Sequence, residues 1–200
     1  KLRGSLLREV VFTAGLRPTV SRRLVEQFEL KRKRLSPGYS PQRSRELVDW
    51  AVERVVIPKG EWKDLLEAMR RDHGVDPNSF VELQDKLVQF HPPEAKEPLV
   101  AAKEMLPRII NTLYSPLYTN DKSVRVQSLS DVPLPKEEYG TYEGQGEDSD
   151  GLLGQWLQFY GPVTIEFIRT TFGIEAQRAQ LIIEDLIDSQ KLIQGQLVTD

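Results

Sequence analysis

The segment from Asp131 to Asp150 constrains the architecture of this chain more than any other. It holds seven acidic residues, one lysine, two prolines and three glycines. A segment of this composition cannot bury enough apolar surface to offset the entropy lost on ordering. We therefore predict a flexible acidic linker over 131–150, which joins a larger domain at 1–130 to a smaller one at 151–200.

The whole chain of 200 residues has an ordinary globular composition, 39% hydrophobic and 28% charged. No apolar run approaches the roughly 18 residues that cross a bilayer, and no secretory leader opens the sequence. We therefore expect a cytoplasmic protein with no membrane partner. Because the sequence begins with Lys1 inside a predicted helix, Leu2 to Phe12, we also expect it to be a piece of something longer.

The net charge of −3 conceals an uneven distribution along the chain. Residues 1–71 hold 17 Lys and Arg against 9 Asp and Glu, whereas residues 72–200 hold 10 against 21. A basic half and an acidic half suggest different partners for each.

The basic half contains a helix predicted over 18–35, whose helical wheel separates charge from apolar side chains. One side carries Arg22, Arg23, Lys33 and Arg34. The other carries Leu24, Val25, Phe28 and Leu35, which we expect to be buried, and Lys31 and Arg32 flank them. With Arg43 and Arg45 of the next helix, these cations form a predicted DNA-binding stripe. A solvated face with Arg22–Glu26 and Lys33–Glu29 pairs is the alternative.

The rest of the larger domain is predicted to be mostly helical. Helices are expected over 40–55, through Trp62 and Met69 to a stop at Gly74, over 79–87, and from Pro98 through Ile110. A single strand is expected over 123–129. Helical spacing favours core positions for Trp50 and Trp62, with base stacking by either as the alternative.

Residues 151–200 predict a winged helix. Helices over 152–160, 165–172 and 175–189 are followed by a small β-hairpin around Gly195. The fold class is therefore mainly α. On the third helix an exposed face carries one arginine and three acids around a leucine, which suits a protein contact better than DNA. Its predicted partner-docking residues are Leu181, Glu184, Asp185 and Asp188.

Two stretches of the larger domain resemble a known family. They are the run from Leu35 to Leu66, LSPGYSPQRSRELVDWAVERVVIPKGEWKDLL, and the run from Pro98 to Arg108, PLVAAKEMLPR. Both resemble the DEAD/H-associated region of Lhr (large helicase-related) ATP-dependent helicases, and the segment from Leu152 to Ile174 is similar to the winged helix that follows it. The resemblance implies a 3′-to-5′ DNA translocase as the parent protein, with upstream ATPase domains as partners of this region.

The sequence itself offers no catalytic machinery. Cysteine is absent, which excludes disulfides, cysteine zinc sites and thiol nucleophiles. No GxxxxGK[ST] phosphate loop or acidic DExx box is present, so ATP and magnesium are expected to bind upstream in the parent. We predict no catalytic residue, metal site or cofactor within this chain.

Three functional interpretations follow. The first is a non-catalytic helicase accessory region that positions DNA and docks domains. The second is a protein-interaction or oligomerisation module without DNA contact, in which the chain associates with itself. An independent hydrolase is the third, and it lacks a visible nucleophile, base and orienting group.

Overall fold

The computed structural model describes residues 20–76, 80–114, 124–140 and 149–195, and the backbone of 198–199. This part of the chain is mainly helical, as predicted, and contains a small four-stranded antiparallel sheet. Its helices are α1 (Arg22–Arg32), α2 (Ser44–Glu53), α3 (Lys59–His73), α4 (Val81–Lys86), α5 (Leu106–Tyr114), α6 (Lys136–Tyr139), α7 (Ser149–Leu157), α8 (Ile165–Phe172) and α9 (Ala176–Asp188). Its strands are β1 (Val20–Ser21), β2 (Ile57–Pro58), β3 (Leu87–His91), β4 (Leu99–Ala102), β5 (Arg125–Ser128) and β6 (Val198–Thr199).

The four-stranded sheet has the order β2-β4-β3-β5, and its central strands β3 and β4 are buried on both faces. Val88 and Phe90 of β3 pack with α5, α7, α8 and α9, whereas Leu87, on the opposite face, packs with α2 and α3. This split follows from the two-residue period of side chains along a strand. The sheet is therefore the middle of three layers, between two groups of helices.

Strand β4 corrects one prediction. We expected a helix from Pro98, but Leu99–Ala102 is a strand, and the helix begins only at Leu106 with Pro107 as its second residue. A short apolar run buried on both faces has no alternation, so its periodicity does not distinguish a strand from a buried helix. The same reason hid β3 from sequence reasoning.

The helix ends were better predicted. Gly74 ends α3 and Gly173 ends α8, both with left-handed φ, at 64° and 62°. Thr164 caps α8, and its Oγ1 accepts a hydrogen bond from Phe167 N at 3.1 Å. The predicted strand over 123–129 is confirmed at Arg125–Ser128.

The first half of the predicted linker packs against the sheet. Asp131 accepts hydrogen bonds from Gln89 at 2.5 Å and from Lys59 at 3.1 Å. Leu134 and Tyr139 lie against the hydrophobic core. The linker prediction assumed that this acidic segment buries too little apolar surface to offset the entropy lost on ordering, but these side chains and the paired Asp131 stabilise its first half. Residues 141–148 lie outside the described part of the chain.

The C-terminal helices differ from the predicted arrangement in two ways. They share one hydrophobic cluster with the sheet, instead of forming a separate tethered domain. The Tyr114 hydroxyl, for example, donates to Phe172 O at 2.6 Å. In place of the predicted hairpin, Val198–Thr199 pairs in parallel with Val20–Ser21, and the described residues 190–195 form no strand. A two-residue strand needs one open edge to pair with, and β1 supplies it.

Candidate nucleic-acid interface

Helix α1 is oriented differently from its prediction. Leu24 and Phe28, expected in the core, are 59% and 58% exposed, and α1 contains no buried residue. Lys33, expected at the surface, is only 12% exposed. A helical wheel identifies two faces but not which one meets the core, and here the polar side has partners in the interior.

Those partners form what we call the Glu61 junction, which consists of Glu29, Lys33, Arg54, Glu61 and Tyr160. Arg54 Nη2 donates to Glu61 Oε2 at 2.7 Å and to the Tyr160 hydroxyl at 3.0 Å. The Tyr160 hydroxyl donates to Glu61 Oε1 at 2.8 Å, and Lys33 Nζ lies 3.2 Å from the same oxygen. The junction thus joins α1, the residue that follows α2, α3 and the segment beyond α7.

The charges of this junction are strongly coupled. Burial alone would raise the pKa of Glu61, but the charges of Arg54 and Lys33, with hydrogen bonds from Arg54 and Tyr160, hold that pKa below its ordinary value. Burial and the neighbouring Glu61 carboxylate raise the pKa of Tyr160. Glu61 is therefore a carboxylate at neutral pH, and Tyr160 is a neutral donor.

Arg54 depends on this arrangement because its side chain is only 1% exposed. Its guanidinium carbon lies 5.0 Å from the ring centre of Phe159 and 5.8 Å from that of Trp50. Its Nε has no hydrogen-bond partner among the described residues. A buried cation of this kind is costly unless a carboxylate compensates it.

Gly161 fixes α1 against the C-terminal part. Its backbone N–H donates to Glu29 Oε1 at 2.6 Å. A Cβ at this position would lie 2.7 Å from the same carboxylate oxygen and would also collide with Val25. The close approach requires a glycine.

The opposite side of α1 is exposed and combines cations with aromatic rings. Arg23, Lys31 and Arg32 are exposed there. The Arg32 guanidinium lies 5.6 Å from the Phe28 ring centre, and Lys31 Nζ lies 6.0 Å from that of Tyr39, which is 52% exposed. We call Leu24, Phe28, Arg23, Lys31 and Arg32 the α1 surface.

The other predicted DNA-binding residues are dispersed. Arg22 is exposed on α1 and has a partner of its own. Lys33 belongs to the Glu61 junction, and Arg34 stacks at 4.3 Å over the Trp50 ring. Arg43 is exposed just before α2.

Arg45 lies in a basin of about 660 Å³ whose charged lining residues are mainly acidic. Five carboxylates line the basin with three cations: Asp49, Glu82, Asp85, Glu104 and Glu138, with Arg45, Lys86 and Lys103. Because this lining repels phosphate, Arg45 is separated electrostatically from the α1 surface.

The exposed face of α9 agrees with its prediction except at Arg178, which is half-buried. Ala179, Ile182, Ile183 and Leu186 are buried, as expected, and Leu181 is 49% exposed. The three acids Glu184, Asp185 and Asp188 are exposed beside it. We call these last four residues the α9 surface.

Arg54, Glu61 and Tyr160 were missed by sequence reasoning. A signal for Arg54 exists, because it follows Trp50 and Ala51 at helical spacing on the buried side of α2. A cation on a buried stripe requires a carboxylate. Nothing in the local sequence identifies Glu61 as that carboxylate, because the contact depends on tertiary structure.

The described residues contain no group of three or more His, Asp or Glu side chains placed to hold a metal ion. Within the same ranges, no helix has the length and apolar character needed to cross a membrane. No family model matches this sequence, and a search of curated proteins returned no significant match. The resemblance to Lhr helicases therefore stays a prediction.

Proposed function

We propose that this chain is a non-catalytic accessory region of an Lhr-like ATP-dependent 3′-to-5′ DNA helicase. In this proposal it positions DNA during translocation, and the parent's upstream domains bind ATP and magnesium. The observation that carries the DNA contact is the α1 surface, where three exposed cations lie beside the exposed Phe28 ring and, next to Lys31, the exposed Tyr39 ring. Aromatic platforms beside cations are how many proteins hold nucleic-acid strands without reading sequence.

Electrostatics dominates the expected binding. Lys and Arg attract phosphates irrespective of base sequence, and each neutralised phosphate releases counterions. Contacts by Arg23, Lys31 and Arg32 correspond to a log–log salt slope of about −2 on single strands and about −2.7 on duplex DNA. The affinity is therefore expected to be modest and strongly dependent on salt.

The test replaces Arg23, Lys31 and Arg32 together by alanine and measures binding to a labelled oligonucleotide by fluorescence anisotropy over a salt series. We expect the slope on single strands to fall in magnitude by about 2, because three phosphate contacts are lost. The matched control replaces three exposed cations elsewhere: Arg45, Lys63 and Lys96. If the control flattens the slope as much as the α1 variant, binding follows net charge and the proposed interface is wrong.

A further inference from the structure

We propose that copies of this chain associate head to tail, with the α9 surface of one copy packed on the α1 surface of the next. This inference does not rest on DNA binding. It rests on two exposed surfaces of one molecule that carry opposite charges beside exposed apolar side chains.

The α9 surface is acidic around an apolar centre. Leu181 is 49% exposed and is flanked by Glu184, Asp185 and Asp188. Glu184 accepts a hydrogen bond from Gln180 at 2.8 Å, and no described cation forms an ion pair with the three carboxylates. The arrangement of an apolar anchor within a polar rim is typical of a protein contact.

The α1 surface is its counterpart in charge. Leu24 and Phe28 are exposed beside Lys31 and Arg32. Leu24, Phe28 and Lys31 line a groove of about 820 Å³, whose other wall includes Gly161 and Pro162. An apolar side chain on a helix can enter such a groove while its acidic neighbours meet the cations at the rim.

The occupant is a second copy because each molecule carries both halves of the contact. Both surfaces stay exposed within one copy, so neither satisfies the other internally. A twofold contact of α1 with α1 or of α9 with α9 would place like charges opposite each other. The contact therefore joins unlike surfaces, and its head-to-tail repetition generates a ring or an open chain.

The contact is expected to be weak. Helix α1 has 11 residues and α9 has 13, which gives lengths of about 16 and 20 Å. One helix in one groove is a small contact compared with the roughly 1,200–2,000 Å² of stable interfaces. Association should appear only at high protein concentration, and it should weaken as salt screens the charges.

The experiment uses two charge-reversed forms of the full 200-residue chain in sedimentation velocity at low salt. One carries Lys31→Glu and Arg32→Glu, and the other carries Glu184→Lys and Asp185→Lys. Each variant alone should remain at the 22.9 kDa monomer, because its two surfaces then have the same sign. Their equimolar mixture should associate, because the reversed surface of each matches the reversed surface of the other.

A matched control, Asp64→Lys with Glu67→Lys on the exposed side of α3, should associate like the unchanged chain. Leu181→Asp should weaken association by about tenfold or more, because it removes the apolar anchor. Circular dichroism verifies that each variant is folded. Any of three results would overturn the proposal. The mixture could stay monomeric, the unchanged chain could stay monomeric at high concentration, or either reversed variant could associate by itself. DNA binding by the Glu184→Lys, Asp185→Lys variant separates failure of self-association from failure of the proposed function. This variant keeps the α1 surface, so under the proposed function it should still bind DNA.

Discussion

At the residue scale, the Glu61 junction is the feature on which the packing of α1 depends. Glu61 is a single carboxylate shared by Arg54, Lys33 and the Tyr160 hydroxyl, and it compensates a guanidinium that is only 1% exposed. Removing one member of a buried charge pair is more destabilising than removing an exposed pair, because the remaining charge stays without compensation. Replacement of Glu61 therefore tests the junction directly.

We expect Glu61→Gln to lower the free energy of unfolding by about 3 kcal/mol at neutral pH, measured by urea denaturation. The lowered pKa of Glu61 also sets the sign of the pH dependence. Because the unfolded state binds the proton at higher pH than the folded state, the stabilisation is complete above the ordinary pKa of 4.5 and is lost as pH falls through the lowered folded value. The difference between the two proteins should therefore shrink in acid.

Glu67→Gln provides the control, since Glu67 is exposed on the same helix, and it should change stability little. Other carboxyl groups contribute equally to both proteins, so the difference isolates Glu61. Parallel pH profiles for Glu61→Gln and the unchanged chain would contradict the coupling described here.

At the element scale, the helix ends could be predicted and the central strands could not. Thr164 and Gly173 act locally, through a side-chain cap and a left-handed backbone, so the sequence at these positions is sufficient. The burial of Leu99–Ala102 depends on helices that contact the sheet from distant parts of the chain. Dependence on distant residues also limits prediction of the candidate site. The sequence identifies the cations of α1, but which side of this helix faces solvent depends on Glu61 and Tyr160.

Gly173 offers a test of how α8 meets the sheet. A Cβ at Gly173 would lie 2.9 Å from the carbonyl carbon of Glu94, in the connection between β3 and β4. Gly173→Ala should therefore cost about 1–2 kcal/mol for the left-handed backbone, plus a further loss from the collision. Thermal and urea unfolding measure this loss of stability.

The matched control is Gly74→Ala, because Gly74 has nearly the same φ and no atom within 4 Å of an added Cβ. The excess destabilisation at Gly173 then reports the collision alone. Equal losses at the two positions would show that α8 does not approach this connection.

At the scale of the whole molecule, the two predicted domains share both hydrophobic clusters. Phe159, just beyond α7, lies in the cluster of α2 and α3, with its ring centre 5.2 Å from that of Trp50. The helices α7, α8 and α9 cover the other face of the sheet. Neither part buries its apolar surface without the other, so stability is expected to be cooperative.

Two separately expressed pieces, residues 1–140 and 149–200, test this cooperativity. Each piece alone should show weak helical signal by circular dichroism, because it exposes the apolar face that the other covers. Mixing them should restore the signal and a cooperative thermal transition. A piece 149–200 that unfolds cooperatively by itself would instead support the independent winged helix predicted from sequence.

The parallel pairing of β1 with β6 affects how this unit can be joined to other proteins. Val20 is opposite Val198, and neighbouring strands lie about 4.8 Å apart, so two positions far apart in the sequence lie side by side. A piece cut at these positions, 20–199, has neighbouring ends and can be inserted into a surface loop of a host protein without forcing that loop open. It is also suited to circular permutation, in which Thr199 is linked to Val20 and new ends are made elsewhere.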